Sequence, residues 1–364
     1  MLRRLDIHHI RNIRGVRLDG LSRVNVFAGP NGSGKTSVLE AIHILGMARS
    51  FRSASIKSLI SHGQADCTVH GALRLDNGGR EVPVGVRRGN AGEAEIRVAG
   101  ETVRTVAVLA AYLPLQVINA DSFDLLTGPP QARRQYLDWG VFHVEQRFLG
   151  QWQRFQRCIK QRNNLLRRDN MAAPEIEAWT RDLVDAGNAI NTFRKDYFAA
   201  LSPRFEAIVQ ALSPELGALQ LSYRQGWDRN TDYAEALTNS LEADMAQGYT
   251  HVGPQRADIR VSVDGHLAAD TLSRGQQKLV VCALKLAQGQ LISEGGARGC
   301  AYLVDDLPSE LDEQHCRLIC ESLDALGAQI FITCVDDRDI RKLWPAGADI
   351  NVFHVERGAI SLAQ

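Results

Sequence analysis

The stretch Gly29-Pro30-Asn31-Gly32-Ser33-Gly34-Lys35-Thr36 meets the pattern G-x-x-x-x-G-K-[ST] at every fixed position. Before it, Val24 to Ala28 is short and β-prone. After it, Val38, Leu39, Ile42 and Leu45 recur at helical spacing. A glycine-rich loop between a strand and a helix confines the chain to an α/β nucleotide-binding architecture. Glycines let the backbone close on phosphate oxygens, and the free N–H groups and dipole of a helix N-terminus favour an anion. Lys35 has the reach for β and γ phosphates, and the Thr36 hydroxyl is a Mg²⁺ ligand by type. Gly29, Pro30, Asn31, Gly32, Ser33, Gly34, Lys35 and Thr36 are therefore the expected residues of a nucleoside-triphosphate site; the loop alone does not name the base.

With 364 residues the chain has room for two or three structural units. Lys plus Arg and Asp plus Glu are each 42, so any nucleic-acid site must be local rather than global. The seven cysteines include no CxxC pair, which suits a reducing cytoplasm. Cys316 and Cys320 read as helix residues. Met1 to Ile7 lacks the apolar region of a signal peptide, and no run of 18 apolar residues exists. The expected location is cytoplasmic.

Three segments follow. Residues 1–130 form an N-terminal ATPase lobe: strands at Leu5 to Ile10 and Val24 to Ala28 with a turn at Asn12 to Gly15, then strands at Thr68 to Leu75, Glu81 to Arg87 and Ile96 to Val98. Gly78-Gly79 and Gly89-Asn90 are expected turns. Residues 131–247 read as an all-helical insertion, with Phe148, Trp152, Phe155 and Ile159 on one helix and Leu183, Ala186 and Ile190 on another. Pro203 and Pro214 punctuate it. Residues 248–364 return to sheet character at Asp258 to Asp264 and carry a C-terminal ATPase lobe.

Three later motifs narrow the class. Leu272-Ser273-Arg274-Gly275-Gln276 resembles the signature motif of ABC-type ATPases, in which a helix N-terminus caps the γ-phosphate held by a partner subunit. Ser273, Arg274, Gly275 and Gln276 are expected nucleotide contacts. Val304-Asp305-Asp306 resembles a Walker B segment, with Asp305 for Mg²⁺ and Asp306 as the base that polarises water, one methylene shorter than the usual Glu. Ser309 to Asp312 resembles the D-loop. Gln116, after Leu113-Pro114-Leu115, resembles the Q-loop glutamine, which touches Mg²⁺. Cys334-Val335-Asp336 stands where many ABC ATPases have a switch histidine, pointing to slow hydrolysis. Between Gln146 and Arg168 there are seven basic residues and no acid, and Arg154, Arg157 and Lys160 share roughly one helix face. Such a face can neutralise DNA phosphates; an ordinary solvated face is the alternative.

The whole chain resembles the RecF family of bacterial recombination mediators. The resemblance rests on Arg11-Asn12, the Gly29 to Thr36 loop, Gly128-Pro129-Pro130-Gln131-Ala132-Arg133-Arg134 with Leu137-Asp138-Trp139, His251 to Asp258, Leu272 to Gln276 and Asp305 to Asp312. Gln255 departs from the histidine common at that place. The resemblance implies an ABC-type, SMC-like P-loop ATPase head with an inserted helical lid. It further implies a weak DNA-stimulated ATPase using ATP and Mg²⁺ and a homodimer formed on ATP binding. It implies binding to single-strand/duplex junctions, RecR- and RecO-type partners, and a role in loading recombinase at gaps during DNA repair, replication and the SOS response. Two rivals stand beside it: the ATPase subunit of a transporter or other machine, and a nucleotide-gated DNA scaffold with negligible turnover.

Overall fold

The computed structural model describes residues 1–75, 79–168, 173–295, 299–345 and 347–363. They divide into two compact units, 1–122 with 278–364, and 123–277.

The first unit opens with β1 (Leu2–Ile10) and β2 (Ile13–Asp19), antiparallel. Their turn is Arg11-Asn12; Gly15, expected in the turn, lies within β2 opposite His8. β3 (Val24–Ala28) is buried at every residue and feeds α1 (Lys35–Met47). β4 (Asp66–Arg74), β5 (Glu81–Gly89), β6 (Ala94–Val98) and β7 (Glu101–Val103) extend the antiparallel sheet in the order β2-β1-β4-β5-β6-β7. The turn after β5 begins at Asn90, while Gly78 of the other expected turn lies outside the described residues. α2 (Val106–Tyr112) and β8 (Leu115–Ile118) follow. α1 is buried nearly all round and packs against β1 and β4 as well as against strands of a second, largely parallel sheet. Val38, Leu39, Ile42 and Leu45 are fully buried; each contributes about 1.5–3 kcal/mol by removal from water.

The second unit begins with α3 (Pro130–Val144), where Pro130 occupies the first helical turn. α4 (Phe148–Leu166) packs on α5 (Ala173–Leu212). Pro203 lies inside α5 rather than ending it. The lost N–H bond is outweighed there by a buried face of Leu201, Phe205, Val209 and Leu212. β9 (Leu219–Arg224), α6 (Tyr233–Asn239), α7 (Leu241–Gln247), β10 (Asp258–Val263), β11 (His266–Leu267) and α8 (Ala268–Thr271) complete it. The all-helical expectation is thus corrected: β9 lies within 131–247 and pairs antiparallel with β10 in a three-stranded sheet, β11-β10-β9. The same pairing explains why the packing limits differ from the segments 1–130, 131–247 and 248–364. Residues 248–277 belong to the inserted unit, and β10 and β11 within them to its sheet.

The chain continues through α9 (Arg274–Gly295), β12 (Ala301–Val304), α10 (Leu307–Glu310), α11 (Glu313–Ala325), β13 (Gln329–Cys334), α12 (Asp337–Arg341), β14 (Ile350–Glu356) and β15 (Ala359–Leu362). Cys316 and Cys320 are buried in α11. The second large sheet has the order β15-β14-β3-β13-β12-β8, parallel from β14 to β8. β3, β12 and β13 are buried along their whole length, as strands covered on both faces of a parallel sheet are. No helix among the described residues is long and apolar enough to cross a membrane.

Candidate nucleotide-binding site

β3 delivers the loop from the centre of the parallel sheet, and α1 leaves it at Lys35. Gly34 precedes the helix at φ 119°, a conformation that favours glycine. Lys35 is only 7% exposed, and its Nζ donates to the carbonyls of Gly29 at 2.7 Å and Pro30 at 3.1 Å. The ammonium is therefore held over the loop by neutral acceptors that a phosphate can displace.

Parallel pairing of β12 with β13 and β8 brings the acids to the same end of the sheet. The Asp305 N–H donates to the Ile118 carbonyl at 2.9 Å. Asp305 Oδ1 accepts from Thr36 Oγ1 at 3.0 Å and from Thr333 Oγ1 at 2.8 Å. Thr333 in turn accepts from the Asp306 N–H at 2.9 Å. Asp306 sits in the left-handed region (φ 53°) as the cap residue of α10. Two oxygens on adjacent corners of a Mg²⁺ octahedron stand about 2.9 Å apart, given bonds of about 2.0–2.1 Å. The Thr36–Asp305 pair has that spacing.

Lys35, Thr36 and Asp305 thus share one site, and the Asp306 backbone is joined to it through Thr333. Gln116 does not join them. It lies inside β8, two residues before the strand ends, where its Nε2 donates to Gln288 Oε1 at 2.5 Å and its Oε1 accepts from Lys285 at 3.5 Å. Burial pushes the Lys285 ammonium down to about 8. The expected metal contact at Gln116 is corrected: its side chain serves α9. Thr333, which links Asp305 to the Asp306 backbone, is a residue that the sequence patterns do not single out. At the switch position Cys334 is buried, its carbonyl accepting from the Gly29 N–H at 3.2 Å, and Val335 is exposed.

In the second unit, Ser273 and Gln276 form a reciprocal capping box at the start of α9. The Ser273 N–H donates to Gln276 Oε1 at 2.9 Å, and the Gln276 N–H donates to Ser273 Oγ at 3.4 Å. Ser273, Arg274 and Gly275 are exposed, and a Cβ added at Gly275 would meet open space.

Four of the seven basic residues in and beside α4 have carboxylate partners. Arg154 pairs with Asp182 at 2.6 Å and reaches Asp185 at 3.6 Å. Arg162 is buried against Asp244 at 2.7 Å and Thr250 at 2.6 Å. Arg147 pairs with Glu145, Arg168 approaches Glu175, and Arg167 donates to the Gly248 carbonyl. Arg157 and Lys160 are exposed and carry no ion pair among the described residues. Of the three expected DNA contacts, Arg154 is instead tied to α5 by its ion pairs, and Arg157 and Lys160 are the two that keep unpaired charges among the described residues.

The two most distinctive sequence motifs brace one another. Arg133 pairs with Asp258 at 2.7 Å and Arg134 donates to the Ala257 carbonyl at 3.1 Å. Arg194 pairs with Asp138 at 2.8 Å and donates to the Pro254 carbonyl at 2.7 Å. Gln255, at the family's histidine position, donates to the Val252 carbonyl at 2.9 Å.

The family model described as "RecF/RecN/SMC N terminal domain" matches residues 1–361. Proteins named DNA replication and repair protein RecF, from Azotobacter vinelandii and Pseudomonas fluorescens, are 51% and 50% identical over 99% of this chain and 98% of theirs. The chain belongs to the RecF family. A solved RecF–ATP structure, 23% identical, superimposes with a TM-score of 0.86 over 100% of this chain and 97% of that one. A Pyrococcus furiosus Smc head domain does so at 0.62 with 15% identity, covering 100% and 95%. The fold of this RecF-family chain is the ABC-type, SMC-like ATPase head.

Proposed function

We propose that this chain is an ATP-dependent DNA-binding protein of replication and recombinational repair, acting in the cytoplasm. Gly29 to Thr36 hold the triphosphate, Lys35 moving from the loop carbonyls onto phosphate. Thr36 and Asp305 hold Mg²⁺, which neutralises phosphate charge when bound. Asp306 accepts the proton of the attacking water, and its short side chain makes turnover slow. Ser273 to Gln276 cap the nucleotide of a second copy, so that ATP closes a homodimer. Arg157 and Lys160 contact DNA phosphates at single-strand/duplex junctions. RecR- and RecO-type proteins are the partners, and the chain helps load recombinase at gaps and supports the SOS response. The observation that carries the reading is the Asp305 carboxylate accepting from both Thr36 and Thr333, which joins the phosphate loop to the acidic strand end. A scaffold with negligible turnover is the second reading, favoured by Val335 and Asp336 at the histidine position.

The test is sizing of the parent and Asp306→Asn with ATP and a gapped duplex. The parent is expected to dimerise and relax. Asp306→Asn is expected to accumulate as dimer, with turnover lowered by about 10²–10⁴-fold. Parental turnover in Asp306→Asn would remove its role as base, and a monomer under all conditions would remove capping between copies.

A further inference from the structure

Two turns outside the phosphate-loop motif grip that loop from behind. Asn12, in the β1–β2 turn, donates through Nδ2 to the Ser33 carbonyl at 2.9 Å. The Gly358 N–H, in the β14–β15 turn, donates to the same carbonyl at 2.7 Å. Ser37, on the first turn of α1, donates through Oγ to Asn12 Oδ1 at 3.3 Å. The Asn12 turn is itself anchored, because Arg11 makes two hydrogen bonds, at 2.9 and 2.8 Å, to the buried Glu40 of α1. There is little slack. A Cβ at Gly34 would lie 2.9 Å from Asn12 Oδ1, and one at Gly358 (φ 82°) would lie 2.2 Å from the Asn12 carbonyl.

The peptide plane turns this grip into a functional statement. In a planar trans peptide the N–H points opposite to the C=O. Two donors on the Ser33 oxygen occupy both of its lone pairs. They hold the negative end of the Ser33–Gly34 peptide toward Asn12 and Gly358, so the Gly34 N–H faces the other way. An anion cradle depends on showing N–H groups, not carbonyls, to the ligand.

We propose that Asn12, with the Gly358 N–H as its partner, is a positioning residue that presets the Ser33–Gly34 peptide for the triphosphate. The proposal rests on the assignment of the phosphate loop as an ATP site. It gives a nucleotide-binding duty to the antiparallel sheet and to the last hairpin, neither of which carries a phosphate-loop residue.

The experiment compares Asn12→Ala and Asn12→Asp, measuring ATP affinity by calorimetry and steady-state ATP turnover, with Lys35→Met alongside. Asn12→Ala removes one donor and is expected to raise the ATP Kd about tenfold. Asn12→Asp is isosteric and keeps the acceptor for Ser37, but sets a carboxylate oxygen against the Ser33 carbonyl. It is expected to raise Kd further, by about 100-fold. In both, KM should rise with Kd while kcat at saturating ATP changes little, a split that a general loss of folding would not produce. Thermal melting without nucleotide checks the fold, and the isosteric variant keeps the test readable should Asn12→Ala melt early. Parental ATP affinity in both Asn12 variants, with binding lost in Lys35→Met, would overturn the clasp and leave the ATP site standing. Parental affinity in Lys35→Met as well would overturn both.

Discussion

The phosphate loop and helix α4 both carry basic side chains, and the two regions hold them in opposite ways. Lys35 rests on two carbonyl oxygens, partners without net charge. Arg154 and Arg162 rest on carboxylates, and the Arg162–Asp244 pair is almost wholly out of water. A cation on neutral acceptors can move to a phosphate at modest cost. A cation taken from a buried carboxylate leaves an uncompensated charge behind. The number of basic residues in a helix is therefore a poor guide to its hold on a polyanion. What counts is the number left after carboxylate partners are subtracted, and within Phe148–Leu166 that leaves Arg157 and Lys160.

The largest effect expected from this contrast is on stability. Asp244→Ala strands the Arg162 guanidinium and should cost about 3–5 kcal/mol, read by urea unfolding, while ATP affinity stays at the parental value. A chain of parental stability would break the comparison, because α4 would then hold its charges no more firmly than the loop holds Lys35.

The next effect depends on acid. His43 of α1 is buried, its Nδ1 2.7 Å from the Arg49 carbonyl, and burial pushes it down to about 4. The unfolded chain binds a proton near the ordinary value of about 6.5. Between those two values the unfolded state takes up a proton that the fold refuses. Stability should be full above the upper value and fall as pH drops to the lower one, by up to about 3 kcal/mol. Urea midpoints at pH 7, 5.5 and 4.5 should fall less steeply in His43→Gln. An identical slope in both chains would show that α1 tolerates a buried charge without a carboxylate partner, which α4 does not.

The smallest effect sharpens the comparison within α4 itself. Arg157→Glu with Lys160→Glu should flatten the log–log salt dependence of DNA affinity by roughly 0.7–0.9 for each phosphate that is no longer neutralised. Arg154→Ala should leave that slope alone. Equal flattening by both would mean that DNA opens the Arg154–Asp182 pair.

How much of the molecule is legible in its sequence divides along the same line. The phosphate loop is readable because its chemistry is local: strand, loop and helix are contiguous. The buried faces of α4 and α5 are largely readable because helical spacing is local too, as Phe155 in α4 and Leu183, Ala186 and Ile190 in α5 show, although Trp152 on the same α4 spacing is exposed. β9 is not, since Leu219 to Arg224 becomes a strand only by pairing with β10. Thr333 looks like one more β-former in an apolar run. Its role exists because β12 and β13 align Val304 with Ile332, which sets Thr333 beside Asp305. Gln116 is misplaced by its motif for a related reason: β8 runs on to Ile118, so the glutamine faces α9 and not the strand end. Each of these depends on a register between segments distant in sequence, and one sequence carries little trace of that.

The position of β3 between β13 and β14 has a consequence for how the protein is made. Val24 pairs with Ile330 and Ile350, each about 300 residues further along the chain. At about 5–20 residues per second, a ribosome needs roughly 15–60 s to supply those partners. For that interval a strand meant to be buried at every residue has no neighbours on either side. The α4–α5 pair, being adjacent in sequence, can close in the meantime. The nascent chain therefore carries a strand destined for complete burial without its partners for most of synthesis, next to the phosphate loop.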